Sequence, residues 1–85
     1  MAKSIFDGAH LCVVEALVNA RKRSGLTQAE VALKIGRDQT VISTIERSQR
    51  RVDILEFIAL ARAMNEDPVA LFAEIVAAVP DKFEI

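Results

Sequence analysis

Gln39, Thr40, Ser43 and Thr44 stand close together and carry the means to recognise another polar molecule. An amide offers a donor and an acceptor side by side, and each hydroxyl offers both on one atom. This equipment suits the edges of base pairs. Glutamine can pair with adenine N6 and N7 through two bonds, and a threonine methyl can meet the methyl of thymine. Catalysis has no comparable set. His10 and Cys12, the one His and the one Cys, lie two positions apart on adjacent helix faces, so they form no Cys/His or Ser/His/Asp arrangement. Neither has a further ligand at metal spacing, and no glycine-rich phosphate loop occurs. The chain is read as a non-enzyme with no metal, cofactor or small-molecule ligand.

Two short helical patterns meeting at Gly36 must hold that polar face. Thr27 and Glu30 occupy the N-cap and N3 of a capping box, and Leu26 with Val31 form a hydrophobic staple. This first pattern ends at Ile35. Gly36 follows where a left-handed residue is wanted. Asp38 then caps a second pattern carrying Val41, Ile42 and Ile45. Val31, Ala32, Ile35, Ile42 and Ile45 are the apolar positions of two helices packed at a steep angle, with small Ala32 at the closest crossing. A turn of about three to four residues containing Gly joins such a pair. The spacing predicts a helix-turn-helix over 27–46, with Gln39, Thr40, Ser43 and Thr44 outward on the helix that enters a major groove.

Charge falls in the same place. The chain as a whole carries −1, but residues 21–51 hold eight basic side chains against three acidic, a net +5, and the rest holds three against nine, a net −6. A local basic field on a motif of this kind is an electrostatic footprint for nucleic acid. Arg37, Arg50 and Arg51 flank the second motif helix and suit phosphates, which set register without carrying sequence information. The four Phe, without Trp or Tyr, offer no stacking platform for single strands, so duplex DNA is favoured.

The rest of the chain reads as helices that support the motif. Residues 1–7 are expected to fray, with Ile5 and Phe6 tucked onto the body. A first helix spans about Gly8 to Arg23, with Val14, Leu17, Val18 and Arg21 at helical spacing. An arginine-rich loop follows the motif. Asp53 caps a fourth helix, whose Ile54, Phe57, Ala61 and Met64 form one core-facing stripe, with Leu55, Ile58 and Leu60 outside it. Pro68, at N1 after an Asp67 cap, starts a fifth helix that runs to about Val79 before Pro80. At 85 residues this is one domain, 1–85. No strand is predicted, no run reaches the roughly 18 apolar residues of a membrane span, and no signal-peptide pattern opens the chain. A lone cysteine excludes an internal disulfide and fits a reducing cytoplasm.

These residues resemble the lambda-repressor/Cro-like, XRE-type helix-turn-helix family over about Leu17 to Leu71. The carriers are Arg21, Gly25–Leu–Thr–Gln28, Val31–Ala32, Gly36, Ile42, Ile45–Glu46 and the apolar helix Ile54 to Met64. Two positions depart from the pattern: Ser48 stands where the family often has Gly, and Val52 where it often has Pro. The resemblance implies an all-α, compact five-helix DNA-binding fold with helices 2 and 3 as the motif. It implies that Gln28 grips a phosphate and buttresses the recognition helix, and that Gln39, Thr40 and Thr44 read bases. Ser43 and Arg47 then make backbone or flanking contacts, and Arg21 with Glu46 form a buried structural ion pair.

In the fifth helix, over 68–79, Leu71, Phe72, Ile75, Val76 and Val79 make a broad apolar stripe. Leu71 and Ile75 are expected in the core, leaving Phe72, Val76 and Val79 as a dimer interface unless the tail, through Phe83 and Ile85, folds back over them. The reading is a sequence-specific, double-stranded DNA-binding transcriptional regulator, cytoplasmic and homodimeric, on a palindromic operator. Two others stay open. One is a restriction–modification controller protein of the same fold. The other is an antitoxin or other protein-interaction module, favoured by the acidic, apolar segment 52–85.

Overall fold

The structure, a computed structural model, describes residues 8–84; Ile5, Phe6 and Ile85 lie outside the described residues. Five helices follow one another: α1 (Ala9–Ser24), α2 (Gln28–Lys34), α3 (Gln39–Glu46), α4 (Ile54–Ala63) and α5 (Pro68–Ala78), with no strand among the described residues. Each of the last four starts at the residue the cap chemistry requires. Thr27 and Asp53 close full capping boxes with Glu30 and Glu56. Asp38 and Asp67 accept the N–H groups of Thr40 and Val69. These caps satisfy backbone donors that a short helix would otherwise leave open.

Three helices stop in the same way. After α2, the Gly36 N–H donates to the Leu33 carbonyl and the Arg37 N–H to the Ala32 carbonyl. Ser48 and Gln49 repeat these two bonds on Ile45 and Thr44 after α3, and Asn65 and Glu66 repeat them on Arg62 and Ala61 after α4. This is the Schellman closure, which needs a left-handed residue at its centre. Gly36 (φ 69°), Ser48 (φ 57°) and Asn65 (φ 59°) supply it. Glycine and asparagine adopt that region at little cost, and serine does so less readily.

Ser48 is also buried, 5% exposed, and its Oγ has no hydrogen-bond partner among the described residues. Both features cost stability. Ser48→Gly is therefore expected to stabilise the fold by about 1 kcal/mol, raising Tm by about 4–8 °C in a domain of this size. A thermal melt checks it, and an unchanged or lower Tm would contradict the account.

The core lies where α1, α2, α3 and α4 meet, closed at one side by Leu71 of α5. Val31, Ala32, Ile42 and Ile45 are buried, as their motif spacing requires, and Ile35 is half-buried. In α1 the buried residues are Val14, Leu17 and Ala20, with Val18 half-buried. The stripe expected for α4 needs correction. Ile54 is 77% exposed and Leu60 is in the core, 4% exposed, with Ala61 and Met64. Asp53 is the cap, so Ile54 is the first helical residue and lies beyond the body. The inward face is Phe57, Leu60, Ala61 and Met64, the i, i+3, i+4, i+7 pattern of a helix on a core. The Cys12 thiol, on α1, donates to the Ala78 carbonyl at 3.5 Å and links α1 to the end of α5.

Candidate nucleic-acid interface

The eight-residue α3 offers its outer side through Gln39 and Thr40, both exposed, and through Ser43 and Thr44, both half-buried. Its hydroxyls donate inward. Thr40 Oγ1 donates to Asp38 Oδ1 at 2.6 Å, Thr44 Oγ1 to the Thr40 carbonyl at 2.8 Å, and Ser43 Oγ to the same carbonyl at 3.2 Å. With their protons used locally, these oxygens keep lone pairs for outside donors, such as the amino groups of cytosine or adenine.

Gln39 belongs to a polar relay that crosses three helices. Its Nε2 donates to Gln28 Oε1 at 3.4 Å, and Gln28 Nε2 donates to Glu46 Oε1 at 2.9 Å. Arg21 Nε and Nη2 donate to the two Glu46 oxygens at 2.6 and 2.9 Å, and Arg21 Nη1 to the Leu26 carbonyl at 3.0 Å. The side chains of Arg21 and Glu46 are 17% and 11% exposed. Burial pushes the Glu46 carboxyl up, but the bonds from Arg21 and Gln28 outweigh it and hold the carboxyl below its ordinary range. One end of the relay is thus anchored in α1, and the other orients the first residue of α3.

The arginines differ in how they are held. Arg47 shares Gln49 Oε1 through Nη2, at 3.2 Å, and Nε. Arg50 is bidentate on Glu56, at 3.0 and 2.5 Å, and Arg37 Nη2 lies 3.6 Å from Glu56 Oε2. The Arg50 guanidinium beside it, with the Asp53 N–H and the charge of Arg37, depresses the Glu56 carboxyl to about 2. Arg51 is exposed on the same loop. Burial, and then the Arg51 charge, lower the pKa of His10, against a hydrogen bond with the Arg50 backbone. In sequence Glu56 is legible only as the acid of a capping box; that it gathers two arginines depends on how the loop after α3 folds against α4.

Phe72 and Val76 are 56% and 57% exposed on α5, whereas Val79 caps that helix and is half-buried. Leu71 and Ile75 are buried, as expected. Phe83 is 53% exposed, and the tail through residue 84 leaves Phe72 and Val76 open. The Phe72 ring meets Phe57 edge-on at 6.1 Å. Beside it an apolar groove of about 660 Å³ runs between Val13, Ile54, Phe57 and Val69.

A family model described as helix-turn-helix matches residues 17–71. The chain belongs to the XRE-type helix-turn-helix family. It is similar to an XRE-family like protein from Pseudomonas syringae pv. tomato str. DC3000, 35% identical over 85% of this chain and 88% of the other, with a TM-score of 0.78. It is also similar to the restriction-modification controller protein C.AhdI from Aeromonas hydrophila, 32% identical over 69% and 86%, with a TM-score of 0.64. The wild-type controller protein C.Esp1396I is 25% identical over 85% and 95%, with a TM-score of 0.76. A search of curated proteins gives no match. As an XRE-type helix-turn-helix protein with five helices, the chain is a DNA-binding transcription regulator. None of its helices among the described residues is long and apolar enough to cross a membrane.

Proposed function

We propose that this regulator binds duplex DNA sequence-specifically, as a homodimer on a palindromic operator. The observation that carries the reading is the outward α3 face held by the Arg21–Glu46–Gln28–Gln39 relay. A residue fixed through three helices loses little freedom on binding, so its hydrogen bonds go to discrimination. Gln39, Thr40 and Thr44 read base edges; Ser43 and Arg47 contact the flanks. Gln28, Arg37, Arg50 and Arg51 meet phosphates, consistent with the net +5 of residues 21–51. Phe72 and Val76, with Val79 at the margin, join two copies, which places two α3 helices about 34 Å apart, one turn of DNA. Likeness to C.AhdI and C.Esp1396I favours a restriction–modification controller within this reading.

The test begins with selection of a preferred duplex from a random pool. On that duplex Gln39→Ala is expected to cost about 1–3 kcal/mol and relax the preference at one base pair. Arg51→Ala is expected to weaken all duplexes alike and to reduce the slope of log K against log salt by about 0.9. Unchanged preference in the Gln39 variant would remove the base-reading assignment.

A further inference from the structure

Glu56 holds Arg37 and Arg50 in a charge cluster, with Asp53 also acting on Arg50, that the DNA-reading face does not itself need. Arg37 comes directly before Asp38, the cap of α3, and Arg50 comes just after the closure of α3. The two arms approach from opposite ends of the recognition helix and reach one carboxylate at the start of α4. We propose that Glu56 is an internal stand-in for phosphate: it holds Arg37 and Arg50 while the protein is free, and duplex binding transfers them to the backbone.

Two observations carry this. The chemistry matches, because the guanidinium fork that Arg50 sets on the two Glu56 oxygens is the fork it would set on a phosphate. Mobility is on the right side. Glu56 is 12% exposed and fixed by the Asp53 N–H at 3.0 Å, whereas the side chains of Arg50 and Arg37 are 34% and 47% exposed. An outside anion therefore meets the arginines and not the acid. Asp53 adds a second negative charge acting on Arg50, so the pull of phosphate rests on the exposure of the two arginines and not on an excess of positive charge. The Arg21–Glu46 pair shows the contrast: the guanidinium groups of Arg21 and Arg50 both also donate to a backbone carbonyl at 3.0 Å, but that of Arg21 is only 17% exposed against 34% for Arg50, so it is shielded from an outside anion.

The inference rests on the proposed duplex-DNA reading, and the experiment separates the two. Wild-type protein is first titrated with a random-sequence 20-base-pair duplex across a range of salt; absence of any binding would defeat the DNA reading before a variant is compared. Glu56→Gln keeps an acceptor for the Asp53 N–H, as glutamine can in a capping box. Glu15→Gln, exposed on α1, makes the same change in net charge elsewhere. Relative to Glu15→Gln, Glu56→Gln is expected to bind the duplex about five- to tenfold more tightly at 0.1 M salt with the same log–log salt slope, because both arginines reach phosphate in either variant and only the cost of releasing them differs. Equal affinity of the two variants, or weaker binding by Glu56→Gln with an unchanged melt, would overturn the proposal. If Glu56→Gln fails to fold, the wild-type protein decides. The guanidinium NMR resonances of Arg50 are expected to shift on adding duplex while those of Arg21 stay in place, and an unmoved Arg50 would refute the transfer.

Discussion

Arg21→Ala is expected to lower the stability of the fold by about 3 kcal/mol, because it strands an acid that is 11% exposed. Glu46 then keeps only the bond from Gln28 among its two side-chain partners, and the Leu26 carbonyl loses its donor too. Replacing Arg21 and Glu46 together by apolar residues is expected to recover part of the loss, since the uncompensated charge goes with them. Thermal and denaturant melts of both singles and the double measure this coupling, and additive losses would mean that the pair does not interact. The pair also leaves a mark in pH. The folded Glu46 carboxyl lies below its ordinary value of 4.5. Its contribution is therefore complete above that value and is lost as pH falls through the folded pKa. Wild-type stability is expected to fall on acidification below about pH 4.5, and the fall should be shallower in Arg21→Ala, where the larger cause of the depression is gone and only the bond from Gln28 and the charge of Lys22 remain.

Phe72→Glu is expected to produce a monomer that loses about 100-fold or more in affinity for a two-half-site duplex while α3 stays intact. Linking two reading heads makes the second contact intramolecular, and gains of about 10²–10⁴ depend on that link. A carboxylate at the centre of an apolar contact leaves its charge without water or a partner on association. Because the Phe72 ring also touches Phe57, Val76→Glu provides a second test. It alters the same face away from that ring contact and should act alike. Sedimentation and a binding titration on the same sample measure both effects. A wild-type protein that remains monomeric at micromolar concentration and on DNA would refute the dimer.

The motif was legible because each of its signals is local. Thr27 and Glu30, Gly36 and Asp38 act within one turn of where they stand, so their types alone place the ends of α2 and α3. The face of α4 was less legible. A period of 3.6 admits both i+3 and i+4 steps, and an apolar residue at either end of a helix satisfies the count; only packing sends Leu60 inward and leaves Ile54 out. Relations that cross elements were least legible. The family pattern pointed to Arg21 with Glu46 and to Gln28 against the recognition helix, but nothing in residue type joins Arg37 and Arg50 to Glu56. Those contacts arise when a loop and two helices converge. Ser48 shows the limit from another side. Its left-handed backbone is demanded by the closure of α3, whatever the residue.

The brevity of α3 carries a consequence for information. Eight residues at 1.5 Å each extend about 12 Å, and base pairs recur every 3.4 Å, so the helix spans about four of them. Four fully read pairs distinguish on the order of 250 sequences, whereas a genome offers on the order of 10⁶–10⁹ competing positions. A lone copy would thus find acceptable words almost everywhere, however well its side chains fit. Two copies bound side by side square the count to on the order of 65,000. The apolar face of α5, remote from the reading side chains in sequence, would then set how rare an address the protein can recognise.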